Sequence, residues 1–273
     1  MKKILIPTDF SKNALHAIHY AFSFTHKEPH QVLLLHTFEA GYDLGSLLAQ
    51  RIGPLESEKK QQMEVLIQNL QEYSEAAHLS FQGLVHHGDL SRTVADICTK
   101  EKIDLVLMGT QGESNASNRV FGSETARIIS QGKCPVLAVP KEAKAEAIKH
   151  FFFATDYREG DLEVLEKIVA EARHRAAKVH VLHIAPESNL QEQIQFRGFR
   201  DIVKERISYD KVVCELIIHP QFLEGMAGYI ALHEQALLAM SYHKKSFLAS
   251  LFTDSRAEDM VYVSPVPLWV YPV

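Results

Sequence analysis

The chain has 273 residues, 46% hydrophobic and 23% charged, enough for two globular domains and unlike a disordered or fibrous chain. Its net charge of −5 and pI near 6.3 provide no basic footprint for nucleic acid or for a membrane surface. Met1-Lys2-Lys3 leads into Ile4-Leu5-Ile6, which Pro7 ends too soon for a signal peptide, and no stretch approaches the about 20 apolar residues of a membrane span. A cytoplasmic protein is expected.

Lys3 to Thr8 predicts a first strand, and Asp9 or Ser11 caps the helix that carries Ala14, Ile18, Ala21 and Phe22 at helical spacing. Gln31 to Thr37 is a second, continuously apolar strand. Phe38 to Pro54 holds Gly41, Gly45 and Gly53 and reads as loop-rich. Glu56 to Ala77 predicts a long amphipathic helix with Met63, Leu66, Ile67 and Leu70 on one face. Phe81 to His86 is a third strand, and Gly88-Asp89-Leu90-Ser91 opens a helix through Ile97. Lys102 to Met108 and Val136 to Val139 are the fourth and fifth strands. Strand and helix alternate, which argues for a parallel sheet with helices on its faces. Cys98, Cys134 and Cys214 lie far apart in apolar contexts and read as buried free thiols, not as a disulfide framework or a zinc site.

After a polar, alanine-rich linker, Lys141 to Lys149, the pattern starts again. Phe151-Phe152-Phe153-Ala154-Thr155-Asp156 echoes Ile4-Leu5-Ile6-Pro7-Thr8-Asp9, and His183 echoes His36, both at an offset of 147. His219 and Pro267 then follow His87 and Pro135 at an offset of 132, so the second copy is shorter by 15 residues between Phe38 and Val85 of the first. A constant offset with one step means two homologous copies. The domains are 1–140 and 150–273, joined by 141–149.

The most informative stretch runs from Leu105 to Pro140. An apolar strand, Leu105-Val106-Leu107-Met108, breaks at Gly109 and Gly112, and the chain resumes at Gly122-Ser123 before a helix and the fifth strand. Glycines let backbone N–H groups approach a ligand. A helix N-terminus at the carboxyl end of a parallel sheet favours an anion. These residues predict a phosphate cradle, where a plain turn would also use glycine. In the second copy Gly109, Gly112 and Gly122 are matched by Ser241, Lys244 and Asp254, and Ser123 by Ser255, so a carboxylate stands where a phosphate would rest.

The spacing Gly109-x2-Gly112-x9-Gly122-Ser123, followed by Cys134-Pro135-Val136-Leu137, resembles the nucleotide-binding signature of universal stress proteins. The resemblance implies two tandem open parallel five-stranded sheets with helices on both faces. It implies an adenine nucleotide, ATP with or without Mg²⁺, bound in the first domain by Pro7, Thr8, Asp9, Thr37, Met108, Gly109, Gly112, Arg119, Gly122, Ser123 and Glu124. Asp9 would contact the adenine or ribose end and Thr37 the base. The chain departs from the family pattern at Gln111, where a histidine is common, and at Glu113 and Glu124, which put carboxylates beside the cradle. The implied function is a stress-response protein that binds nucleotide without efficient catalysis, at most a weak ATPase. The alternative is a nucleotide-free structural or regulatory interaction module.

The remaining candidates carry less. The P-loop motif and the glycine fingerprint of dinucleotide folds are absent, and Ser123 has no sequence-evident base. His36 and His183 read as structural histidines. His86-His87 lies at a strand end near the cradle. With no His-Glu-x-x-His or Cys-x-x-Cys, the sequence contains no metal signature. In the family the fifth strand is an edge that pairs with a partner. The resemblance therefore implies that Val136 to Val139 and Leu268 to Tyr271 pair within one chain, with a homodimer as a further option.

Overall fold

The computed structural model describes residues 1–39, 46–110, 123–243 and 266–273. The chain divides into two compact α/β units, the first ending at Lys141 and the second running from Glu142 to Val273.

The first unit is built from β1 (Lys2–Pro7), α1 (Lys12–Phe24), β2 (His30–Phe38), α2 (Ser46–Gln71), β3 (Leu79–His87), α3 (Leu90–Glu101), β4 (Leu105–Gly109), α4 (Ser123–Gln131) and β5 (Val136–Val139). Its strands lie in the order β3-β2-β1-β4-β5 and all pair in parallel. Helices cover both faces, so the central strands are apolar end to end: Leu33, Leu34 and Leu35 of β2 and Leu107 of β4 are fully buried. Ser11 caps α1, its hydroxyl accepting from the Ala14 N–H at 3.2 Å.

The second unit repeats the plan with β6 (His150–Ala154), α5 (Asp161–His174), β7 (Lys178–Ala185), α6 (Leu190–Arg206), β8 (Val212–Ile218), α7 (Phe222–Ile230), β9 (Ala236–Tyr242) and β10 (Leu268–Pro272). The order is β8-β7-β6-β9-β10, again parallel. Phe151, Phe152 and Phe153 fill its centre with no exposed surface. The residues missing from this copy fall where α2 is replaced by the shorter α6.

Three expectations are corrected. The long helix begins at Ser46, not Glu56, and carries Gly53 and Pro54 inside it. Glycine and proline weigh about 1 and about 3 kcal/mol against a helix interior, but Leu48, Ile52 and Leu55 keep the apolar helical spacing running through them. The helix ends at Gln71, and a single 3₁₀ turn, Ser74–Ala76, leads on to β3.

The third correction is chemical. Cys98 on α3 and Cys134 before β5 are joined as a disulfide, with their Cα atoms 6.4 Å apart, and only Cys214 remains a thiol. Sequence distance concealed the pair, because α3 and the β5 entry meet only in the folded sheet. Burial pushes the Cys214 thiol up to about 11. Thiol titration of the denatured, unreduced protein is expected to count one thiol and, after reduction, all three cysteines. Three thiols before reduction would contradict the pairing.

Candidate functional site

In the first unit the strand order reverses between β1 and β4, and ligands of open α/β sheets bind beyond the carboxyl ends of the strands at such a point. Those of the predicted residues that the structure describes lie at the ends of the elements that meet there. Pro7 ends β1 and Thr8 and Asp9 follow it; Thr37 is the next-to-last residue of β2; Met108 and Gly109 end β4; Ser123 and Glu124 open α4. The Thr125 hydroxyl donates to the Gly109 carbonyl at 3.3 Å and so ties the first turn of α4 to the end of β4. Gln111, Gly112, Glu113, Arg119 and Gly122 lie outside the described residues.

The turn after β1 is held by a set of contacts that the second unit copies. Phe10 takes a left-handed backbone (φ 63°), costly for a bulky side chain, and its N–H donates to the Thr8 hydroxyl at 3.1 Å. The Phe10 ring packs on His36 with centroids 4.5 Å apart. His36 Nδ1–H donates to the Thr8 carbonyl at 2.8 Å, and burial lowers the imidazole's pKa, so the ring is a neutral strut between β1 and β2. In the second unit Tyr157 (φ 57°), Thr155 and His183 reproduce this, with the His183 Nδ1–H to Thr155 carbonyl bond at 2.7 Å and ring centroids 4.2 Å apart. Both histidines are thus structural. In the first unit the turn leaves the Asp9 side chain exposed at the sheet edge, where its carboxylate accepts from the Ser11 N–H at 3.0 Å.

Glu124 does not face the edge as an isolated charge. Arg127 bonds its Oε1 at 2.8 Å and bridges to Asp89 Oδ2 at 2.9 Å. Asp89 is the N-cap of α3, and the Arg92 N–H, the Ser91 hydroxyl and Arg127 hold its carboxyl down at about 2. His86 and His87 are exposed at the end of β3.

The same edge of the second unit is closed by its own side chains. Asp161, 2% exposed, accepts from the Thr155 hydroxyl at 2.6 Å and the Arg158 N–H at 3.1 Å, and its Oδ1 meets His243 Nε2 at 3.0 Å. His243 occupies the position that matches Gln111. Gly160 lies against the Val273 side chain, so any β-carbon there would collide with it. Burial raises the pKa of Asp156, the counterpart of Asp9. Sequence reasoning missed this network, since it spans 82 positions, although the carboxylate-rich character of the copy was visible at Asp254.

The sequence profile described as the universal stress protein family matches residues 1–140. The chain is similar to universal stress protein MJ0577 of Methanocaldococcus jannaschii, 26% identical in an alignment of 155 positions that covers 52% of this chain and 96% of that protein. It is also similar to universal stress protein MJ0531 of the same organism, 28% identical over 52% of this chain and 84% of that protein. Among solved structures, a universal stress protein from Archaeoglobus fulgidus aligns over 99% of this chain and 96% of its own with a TM-score of 0.75 and 17% identity, a likeness of fold.

Proposed function

The chain belongs to the universal stress protein family, and from that premise we propose that its first unit binds one adenine nucleotide, ATP, and that its second unit binds none. The observation that carries the reading is the convergence of Pro7-Thr8-Asp9, Thr37, Met108-Gly109 and Ser123 on one carboxyl edge at the strand-order reversal. Asp9 and Thr37 flank a place for the base and ribose. Gly109, Gly112, Arg119, Gly122 and the first N–H groups of α4 serve the phosphates. Nothing in this set supplies a nucleophile and base, so hydrolysis is slow and incidental. Equilibrium titration of the full chain with ATP tests the reading, which expects saturation at one nucleotide per chain. Two per chain would sink the assignment of the second unit, and no saturable binding would favour a nucleotide-free interaction module.

Glu124 sets the affinity of this site. A carboxylate about 4 Å from a phosphate costs about 1 kcal/mol in water, and the Arg127 pair offsets part of it. Glu124→Thr is expected to tighten ATP binding about two- to fivefold, with the gain shrinking as salt screens the charge. Weakened, Mg²⁺-dependent binding in the variant would instead make Glu124 a metal ligand.

A further inference from the structure

The second unit carries a cluster of imidazoles at the amino end of its strands, opposite the edge that holds Asp161. His150 is the first residue of β6, His180 the third of β7, and His233 follows α7. Their ring nitrogens can be chosen so that all lie within 4.8 Å of one another. His150 Nδ1 and His180 Nε2 are 3.1 Å apart. A tetrahedral zinc with Zn–N of about 2.0–2.1 Å holds its ligand nitrogens about 3.3 Å apart, so this spacing needs almost no change.

The groups behind the rings point the same way. The Tyr229 carbonyl lies 3.2 Å from His233 Nδ1 and can only accept, so that nitrogen carries the proton and Nε2 keeps a lone pair. His180 Nδ1 faces the Tyr229 hydroxyl at 3.2 Å, and that hydroxyl is itself hydrogen-bonded to Glu215. With its proton on Nδ1, His180 also keeps the Nε2 lone pair toward His150. Metal-bound histidines characteristically donate their second nitrogen to a carbonyl or a carboxylate in this way.

The fold does not demand these residues. At the offsets of the two copies, His150 and His233 match Lys3 and Glu101, and His180 and Tyr229 match Leu33 and Ile97. In the first unit Lys3 and Glu101 form an ordinary ion pair at 2.9 Å, and Leu33 is buried. The second unit has exchanged an ion pair and two aliphatic side chains for three imidazoles and a phenol.

We infer that His150, His180 and His233 form a binding site for one divalent transition metal of the zinc class, with a fourth position left to water. In the metal-free protein the His150 Nδ1–H donates to His180 Nε2. The metal replaces that shared proton once His150 takes its other tautomer, with the proton on Nε2. Three imidazoles and no thiolate suit zinc, cobalt, nickel or copper and exclude calcium and magnesium.

The test uses the full chain, stripped with chelator and titrated with Co²⁺ by visible absorption and with Zn²⁺ by calorimetry. One Zn²⁺ per chain is expected, with intense cobalt bands of a four-coordinate site and a raised melting temperature. His233→Gln should weaken binding beyond the about 10–100-fold that loss of an outer-shell partner costs. His150→Lys combined with His233→Glu rebuilds the ion pair of the first unit, so it is expected to fold and to lose the site. His219→Gln, at a half-buried histidine just beyond the carboxyl end of β8, should change nothing. No saturable zinc binding in the wild-type chain, or binding that survives the double substitution, would overturn the inference and leave an ordinary histidine–histidine hydrogen bond.

Discussion

Gly122→Val is expected to weaken ATP binding by at least about 100-fold, equivalent to about 2.7 kcal/mol, while the melting temperature stays close to that of the wild-type chain. Gly122 directly precedes Ser123, the first residue of α4. The opening N–H groups of a helix have no partner within it and carry the positive end of its dipole. An anion satisfies them only if it can reach the backbone, and a branched side chain at the preceding position stands in its way. Ser123→Ala removes a single hydroxyl and should cost about tenfold or less, in line with one hydrogen bond to a charged group at about 1.5 kcal/mol. The corresponding change in the second unit, Asp254→Gly, should leave the stoichiometry untouched, because the Asp161–His243 pair and Val273 still close that edge. Equal ATP affinity for Gly122→Val and wild type would show that the phosphates are not held at this helix.

What could be read from the sequence and what could not divide along physical lines. Strands covered on both faces are runs such as Val32-Leu33-Leu34-Leu35 and Phe151-Phe152-Phe153, and such runs mark their positions without reference to anything distant. The offsets of 147 and 132 then carried each strand of the first copy onto its partner in the second, β1 onto β6 and β4 onto β9 among them. Glycine spacing located the two flanks of the candidate site for a related reason, since backbone approach is a local requirement. The features that escaped depend on side chains from remote elements. The Cys98–Cys134 pair, the Asp161–His243 contact and the His150–His180–His233 cluster each join residues that only sheet order brings together. Single histidines with apolar neighbours carry no spacing signal. The one usable sign was comparative: His180 and Tyr229 stand where the first copy has Leu33 and Ile97. The start of α2 was missed for the opposite reason, because Gly53-Pro54 is a strong local breaker that the surrounding apolar spacing overrode.

Asp161→Ala is expected to destabilise the second unit by about 3–5 kcal/mol, since each buried donor it leaves unsatisfied costs about 1–3 kcal/mol. Asp161 is 2% exposed and holds three partners at once: the Thr155 hydroxyl at 2.6 Å, the Arg158 N–H at 3.1 Å and His243 Nε2 at 3.0 Å. Truncation leaves all of them facing a cavity. The Thr155 hydroxyl also accepts from the Tyr157 N–H, which sits in a left-handed turn whose ring stacks on His183, so the strain at Tyr157 loses part of its support. Asp161→Asn keeps the size and one acceptor and should cost less, about 1–3 kcal/mol. Combining Asp161→Ala with His243→Leu should recover stability relative to Asp161→Ala alone, because a matched apolar pair leaves fewer unsatisfied groups. Chemical denaturation followed by near-ultraviolet circular dichroism, which Tyr157 reports, measures all three variants. In none of them should a second nucleotide bind, since the glycines needed for phosphate approach are still absent from this copy. An Asp161→Ala chain within about 1 kcal/mol of wild type would mean that the carboxylate is solvated instead of buried, and with it would go the account of why this edge is closed.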